Sequence, residues 1–268
     1  MSHAIANVLS IAGSDSGGGA GIQADLKTFS ALGVYGATVV TALTAQNTHG
    51  VLAVHAPDAA FVNAQLDAVF SDIRIDAVKI GMLANVDIVR AVADALRRYR
   101  PPFVVLDTVI LSSSRHPLLA PDAVAALRDE LIPLASLVTP NLPEAAALLG
   151  APEATDEAAM LDHAQRLRAL GARAVLMKGG HLGGAESPDW LVATTNTRRF
   201  SGARLTVPHT HGTGCTLSSA IAARMAQGRA LGDAIADARA YLVDAMREST
   251  RLDVGSGTGP LHHFYRWW

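Results

Sequence analysis

The chain has 268 residues, of which 22 are basic and 24 acidic, so its formal net charge is −2. Half of the residues are hydrophobic and 17% are charged, which excludes an intrinsically disordered chain because ample apolar surface is available for burial. The lack of a basic run argues against nucleic acid as a partner, no apolar run approaches the roughly 20 residues that cross a bilayer, and the single cysteine excludes an intrachain disulfide.

Short apolar segments alternate with longer amphipathic ones, a pattern typical of parallel strands joined by crossover helices. The short segments are almost wholly apolar, as expected for strands that are buried on both faces of a sheet. Among the longer ones, Val89, Val92, Ala93 and Leu96 recur at helical spacing. In chain order, the pattern predicts strands at residues 8–11, 39–43, 77–80, 103–106, 137–139 and 174–177, and helices at 58–70, around 89–96, and at 122–131, 156–170, 215–225 and 231–246.

Turn signals and an edge hairpin complete the predicted fold. Gly33 and Gly171 stand where the C-terminal ends of helices are expected. In residues 190–207, Thr, Val and Phe alternate with polar residues, which predicts an antiparallel hairpin at the sheet edge. Because no linker, repeat or low-complexity segment interrupts the chain, we predict a single α/β domain over residues 1–268. The first residues do not resemble a signal peptide, so we expect a cytoplasmic protein.

A glycine-rich loop at residues 13–21 follows the first predicted strand and leads into a helix. Gly19, Gly21 and Ala24 fit the dinucleotide fingerprint, but no acidic residue follows about 20 positions later, so NAD binding is disfavoured. The loop also lacks the lysine of a Walker A motif. Two interpretations remain open: a tight turn between strand and helix, or a backbone surface that a flat ligand can approach.

A second glycine-rich loop, with Gly212, Thr213 and Gly214, comes directly before a helix. Backbone N–H groups at a helix N-terminus form a natural anion site, which can stabilise a phosphoryl group during transfer. Cys215 would lie in the first helical turn, where the helix dipole favours a thiolate that can act as a base. The alternative is a buried structural cysteine, which the local sequence alone favours.

Polar residues follow several predicted strands, at the sheet edge where α/β proteins bind ligands. Lys178, followed by two glycines, suits a phosphate, although it can also be a surface lysine in a turn. Asp107 and Glu144 can hold magnesium through water, and Glu144 with Asn141 can equally belong to a helix start. His209, His211, His262 and His263 have no third ligand at a convincing spacing, so we interpret them as solvated or core histidines rather than zinc ligands.

The combination of motifs is more specific than any one of them. Residues 12–25, 44–47, 139–144, 177–181 and 210–215, with 259–264 near the C-terminus, together resemble the bifunctional hydroxymethylpyrimidine/phosphomethylpyrimidine kinases of thiamine biosynthesis. The resemblance covers essentially the whole chain. It implies a three-layer α/β/α fold of the ribokinase superfamily with a mainly parallel sheet. It also implies transfer of phosphate from ATP, with Mg²⁺, to 4-amino-5-hydroxymethyl-2-methylpyrimidine and then to its monophosphate.

The resemblance also implies roles for individual residues. Gln46 matches the pyrimidine-binding position, where a carboxamide can both donate and accept hydrogen bonds. Asp25, Gly13 and Met82 match further parts of the pyrimidine pocket. Cys215 occupies the position at which many sugar kinases carry an aspartate base. The remaining matches are the phosphate-contacting lysine (Lys178), the phosphate and magnesium neighbourhood (Asn141 and Glu144) and the anion hole (Gly212, Thr213 and Gly214).

One segment departs from the family pattern, and alternatives to the family function remain. Where the family usually has a flexible Ser-Gly-Asp segment, this chain has Ser114, Arg115 and His116, which stiffens the loop and adds a cation suited to a phosphorylated acceptor. A pyridoxal kinase and a non-catalytic sensor of thiamine precursors are the alternative functions. The resemblance further suggests a homodimer, to which the hairpin near residues 190–207 could contribute.

Overall fold

The computed structural model describes residues 4–111 and 118–268, so Arg115 and His116 lie outside the described residues. The strands are β1 (Asn7–Gly13), β2 (Tyr35–Asn47), β3 (Gly50–His55), β4 (Ala77–Ile80), β5 (Val104–Leu106), β6 (Leu137–Val138), β7 (Ala174–Lys178), β8 (Asp189–Ala193) and β9 (Thr197–Phe200). The α-helices are α1 (Gly21–Ala31), α2 (Ala59–Asp72), α3 (Val86–Tyr99), α4 (Pro121–Ala126), α5 (Leu142–Leu149), α6 (Glu157–Ala169), α7 (Thr213–Ala226) and α8 (Leu231–Arg247).

In the described part of the chain the strands form one sheet, in the order β3-β2-β1-β4-β5-β6-β7-β8-β9. The strands from β2 to β7 in this order run parallel, whereas β3, β8 and β9 pair antiparallel at the two edges. The six predicted strands, the predicted helices and the hairpin of β8 and β9 are thereby confirmed. One difference is that the helix predicted at residues 122–131 continues beyond α4 as a π-helical turn, Leu127–Leu131.

Side chains that alternate along the buried strands build a hydrophobic core on each face of the sheet. In β1, Leu9 and Ile11 belong to one core and Val8 to the other, because neighbouring residues of a strand point to opposite faces. Helices α2 to α6 cover the first core, and α1, α7 and α8 cover the second. The α/β/α layering implied by the resemblance is therefore present. No helix in the described ranges is long and apolar enough to span a membrane.

The strand order reverses direction at β1, which positions the ligand-binding edge of the sheet. From β1 the chain continues to β2 on one side, and then returns to β4 on the other. Open α/β sheets bind ligands at such a switch point, beyond the carboxyl ends of the strands. Gly13 ends β1 here, and a Cβ atom built on it would lie 3.0 Å from the Met82 sulfur, just beyond β4.

Candidate active site

A cavity of about 670 Å³ opens at this edge of the sheet. It is lined by residues from the loops that follow β1, β4, β5, β6 and β7, together with the start of α7. The structure thus brings together nearly all the residues that the sequence analysis singled out. The predicted site residues that line the cavity are Gly13, Gln46, Met82, Asp107, Asn141, Glu144, Lys178, Gly212, Thr213, Gly214 and Cys215.

The N-terminus of α7 faces this cavity through backbone that only glycine accommodates well. Gly212 has a φ of 84°, and a Cβ atom on it would lie 2.0 Å from the carbonyl oxygen of Gly19. The two glycine-rich loops therefore touch. A Cβ atom on Gly214 would lie 3.5 Å from Lys178 Nζ and 3.6 Å from Asp107 Oδ2. The start of α7 consequently lies close to the lysine ammonium, and a helix N-terminus beside a lysine is suited to an anion.

Lys178 and Asp107 form an ion pair at the ends of β7 and β5. The Lys178 ammonium donates to Asp107 Oδ1 at 3.0 Å, and the hydroxyls of Thr139 and Ser218 also donate to this carboxylate. Burial opposes the ionised form of Asp107, but Lys178 and Lys79 outweigh it and lower the pKa of the carboxyl below its usual value. The lysine is therefore held in a fixed position before any ligand arrives.

Glu144 sits in the first turn of α5, in the hydrogen-bonding arrangement of a helix cap. The Asn141 side chain accepts from the Glu144 backbone N–H, and the Glu144 side chain accepts from the Asn141 backbone N–H. The Thr108 hydroxyl donates to the same carboxylate at 3.0 Å. Burial raises the pKa of Glu144 to about 7, against the opposing effect of Lys178 and with a contribution from Asp107. Glu144 thus belongs to the cap of α5, and its side chain also lines the cavity.

Cys215 lines the cavity, but its ionisation differs from the sequence expectation. The side chain is partly exposed, rather than enclosed among aliphatic residues. Loss of water nevertheless raises the pKa of the thiol to about 11; Lys79 lowers it, and the carboxylates of Asp25 and Asp107 raise it further. The raised pKa of Cys215 runs against the thiolate that the sequence analysis expects, because burial and the nearby carboxylates oppose ionisation of the thiol in the ligand-free protein.

Asp25 is the predicted substrate-binding residue that the structure places elsewhere. Its side chain is fully buried and forms an ion pair with Lys79, with both oxygens 2.8 Å from the ammonium. The hydroxyls of Ser10 and Ser219 donate to the same carboxylate. The carboxylate is thus saturated by protein groups and does not line the cavity, so the predicted contact with substrate is corrected to a structural ion pair.

Sequence reasoning missed a second polar group in the cavity, formed by Asp15, Thr44 and His211 around Gln46. His211 Nε2 lies 2.8 Å from Asp15 Oδ2 and 3.2 Å from the amide nitrogen of Gln46. His211 is therefore neither a solvated nor a core histidine. His209, two residues earlier, instead accepts from the backbone N–H of Gly259. The available signal was the position of His211 immediately before the anion-binding glycines.

An anion site at the switch point of a doubly covered parallel sheet, with a fixed lysine beside it, defines a phosphotransferase of the ribokinase type. Comparison with known proteins narrows this class. Residues 15–262 match the family model described as phosphomethylpyrimidine kinase. The chain is also 56% identical over 262 residues to the hydroxymethylpyrimidine/phosphomethylpyrimidine kinase of Escherichia coli (strain K12), covering 98% of each protein. The chain therefore belongs to the phosphomethylpyrimidine kinase family.

Solved structures agree with this assignment. The phosphomethylpyrimidine kinase of Clostridium difficile is 43% identical with a TM-score of 0.80, covering 90% of this chain and 99% of that one. The ADP complex of Bacillus subtilis pyridoxal kinase is 37% identical with a TM-score of 0.90, covering 97% and 98%. The predicted family, the ribokinase-like fold and the phosphotransferase class are confirmed.

Proposed function

We propose that this enzyme transfers the γ-phosphoryl group of ATP to the hydroxymethyl oxygen of 4-amino-5-hydroxymethyl-2-methylpyrimidine, and then to the resulting monophosphate. The observation that carries the proposal is that Gln46, which can pair with an aminopyrimidine edge, shares one cavity with the anion site at Gly214. One cavity thus holds both a side chain that can bind the pyrimidine ring and a site for the phosphoryl group that is transferred. A substrate that carries its hydroxymethyl group on the ring needs both.

The residues of the cavity suit the demands of this reaction. Phosphoryl transfer depends mainly on positioning and on stabilisation of the charge on the phosphoryl oxygens. The N–H groups of Gly212 and Gly214 and the ammonium of Lys178 are donors suited to those oxygens, whereas the N–H of Thr213 already donates to the carbonyl oxygen of Thr210. Cys215 lies next to these donors and is the candidate to receive the proton of the substrate hydroxyl. The monophosphate attacks through an oxygen that is already ionised, so the second reaction needs no such base.

Magnesium fits the carboxylates at this site. Asp107 and Glu144 line the cavity beside Lys178, and burial raises the pKa of Glu144 to about 7 against the opposing effect of that lysine. Within the described ranges no group of three or more His, Cys, Asp or Glu residues is arranged to hold a metal ion. We therefore propose that Asp107, Glu144 and bound waters hold Mg²⁺ together with the ATP phosphates, whose charge the ion neutralises.

Pyridoxal is the second candidate acceptor, because the B. subtilis pyridoxal kinase has a similar fold over nearly the whole chain. Pyridoxal also carries a hydroxymethyl group on a flat nitrogen heterocycle, but it has no amino group to pair with Gln46. ADP release from the purified enzyme, with ATP and Mg²⁺, should be measured with the pyrimidine alcohol, its monophosphate and pyridoxal in parallel. We expect the two pyrimidines to be the better substrates. A higher kcat/KM for pyridoxal, or no ADP with any acceptor, would refute the proposal.

We also propose that the protein is a homodimer joined at the β3 edge. Leu52 and Val54 on β3 and Leu43 on β2 are exposed, and Leu52 is 76% accessible. The paired strands β2 and β3 thus present apolar side chains at an unpaired edge, where a second copy would cover them.

A further inference from the structure

His211 stands between two partners inside the cavity. A single atom, Nε2, lies 2.8 Å from Asp15 Oδ2 and 3.2 Å from the amide nitrogen of Gln46. The histidine side chain is 16% exposed and the aspartate side chain 3% exposed, so water offers little substitute for these contacts. A carboxylate oxygen requires a donor at this ring nitrogen, whereas the amide nitrogen of Gln46 requires an acceptor. The positions of the hydrogens therefore decide how the three side chains are arranged.

Asp15 is an ionised acceptor, and this fixes the proton on the histidine. Its carboxylate already accepts from the backbone N–H groups of Gly17, Gly19 and Ala20. Burial raises the pKa of Asp15, but these bonds and the contact with His211 outweigh burial and hold the pKa below its usual value. A carboxylate without a proton can only accept. His211 Nε2 must therefore carry hydrogen and donate it.

Thr44 contacts the Gln46 amide from the other side and also restricts its orientation. Its hydroxyl donates its one hydrogen to the carbonyl oxygen of Ser14 at 2.8 Å. The same hydroxyl lies 3.1 Å from the terminal amide of Gln46. Because the hydrogen is already used, Thr44 can only accept from the amide.

A half turn of the Gln46 carboxamide, whose oxygen and nitrogen have nearly the same shape, satisfies both neighbours. The oxygen then shares the single Nε2–H hydrogen of His211 with Asp15 in a bifurcated hydrogen bond, and the nitrogen donates to Thr44. We propose that His211, held by Asp15, is a positioning residue that fixes the Gln46 amide in this orientation. One oxygen lone pair and one N–H hydrogen of the amide remain for the ligand, in a fixed order.

The fixed amide selects the ring that it can pair with, an inference that rests on the proposed function. A 4-aminopyrimidine offers an acceptor ring nitrogen beside an amino donor, which matches the remaining N–H and oxygen of Gln46. The 4-oxo analogue, with the same hydroxymethyl and methyl groups, offers a donor ring nitrogen beside an acceptor oxygen. It matches only the opposite amide orientation, which His211 and Thr44 oppose. The penalty for one mispaired buried hydrogen bond corresponds to about 10- to 100-fold in kcat/KM.

The test compares kcat/KM for the 4-amino and 4-oxo pyrimidine alcohols in the wild-type enzyme and three variants. We expect His211→Leu to lower the amino-to-oxo ratio at least tenfold, because the amide is then free to turn. The loss should appear as a higher KM for the aminopyrimidine, with kcat and the KM for ATP changed less than twofold. His211→Gln, which restores an N–H donor near the position of Nε2, should recover most of the ratio.

His209→Leu is the matched control, because it removes an imidazole from the same loop without touching Gln46. It should leave the ratio at the wild-type value. An unchanged ratio in His211→Leu, or an equal fall in His209→Leu, would overturn the positioning role. If His211→Leu does not fold, a His211→Gln ratio far below wild type would overturn it as well. A wild-type enzyme that phosphorylates neither pyrimidine would instead refute the proposed function.

Discussion

Replacement of Cys215 separates the two phosphorylation reactions. The thiol has a pKa of about 11 in the ligand-free cavity, so about one molecule in a thousand carries the thiolate at pH 8. General-base catalysis contributes about 10²- to 10⁴-fold to a reaction rate. Cys215→Ala should therefore lower kcat/KM for the pyrimidine alcohol by a factor in this range. The monophosphate, whose second pKa is about 6, is already ionised and should lose less than threefold.

The pH dependence of kcat/KM in the wild-type enzyme tests the same role of Cys215 without a mutation. Below its pKa, the thiolate fraction rises tenfold for each pH unit, so kcat/KM for the alcohol should rise nearly tenfold per unit between pH 7 and 9. The monophosphate reaction has no such requirement and should lack this tenfold rise per pH unit. Glu144, with a pKa of about 7, also titrates in this range. It affects both acceptors, so the ratio of the two rates isolates the cysteine.

The assay is ADP release by the purified enzyme with each acceptor, at saturating ATP and Mg²⁺. Cys215→Ser is the matched control: it keeps a small polar side chain, but its hydroxyl does not ionise in this range. It should lose the pH slope on the alcohol as completely as Cys215→Ala does. An alcohol-to-monophosphate ratio that stays constant with pH in the wild type, or equal losses on both acceptors in Cys215→Ala, would refute the reasoning.

Two further predictions concern stability and assembly. Lys79→Met should lower the free energy of unfolding by about 3–5 kcal/mol in urea titrations, because it leaves the fully buried Asp25 without its partner. Adding Asp25→Asn should recover much of that loss; a double variant no more stable than the single one would contradict the ion-pair account. Leu52→Asp should convert the proposed dimer to a monomer in light-scattering measurements, whereas a wild-type monomer, or a variant that remains dimeric, would exclude the β3 interface.

The sequence predicted those parts of the fold in which burial leaves a regular pattern. Strands β1 and β4 to β7 are buried on both faces, so their residues read as apolar runs between turns. Strand β3 escaped prediction because its residues are exposed or only half-buried, and Leu52 and Val54 on it point to no core. A strand at an open sheet edge need not show the pattern of apolar residues that burial imposes on strands inside the sheet.

The site residues that sequence reasoning placed wrongly are those whose partners are distant in the chain. The motif alone predicts Asp25 in the pocket, but its partner Lys79 is 54 positions away on β4. Asp15 and His211 are separated by 196 positions and meet only because the two glycine-rich loops touch. Local spacing predicts which strand end carries a group, whereas the partner that saturates or orients the group depends on the three-dimensional packing.

The charges beneath α7 explain why the two reactions place different demands on this site. The two lysines near α7 are each paired with a carboxylate, Lys178 with Asp107 and Lys79 with Asp25. These pairs hold the lysines in place and keep the lysine charges compensated. The same carboxylates also raise the pKa of Cys215, against the effect of Lys79. The arrangement that positions a phosphoryl group thus disfavours the thiolate, and the alcohol, which alone requires a base, should be the slower acceptor at neutral pH.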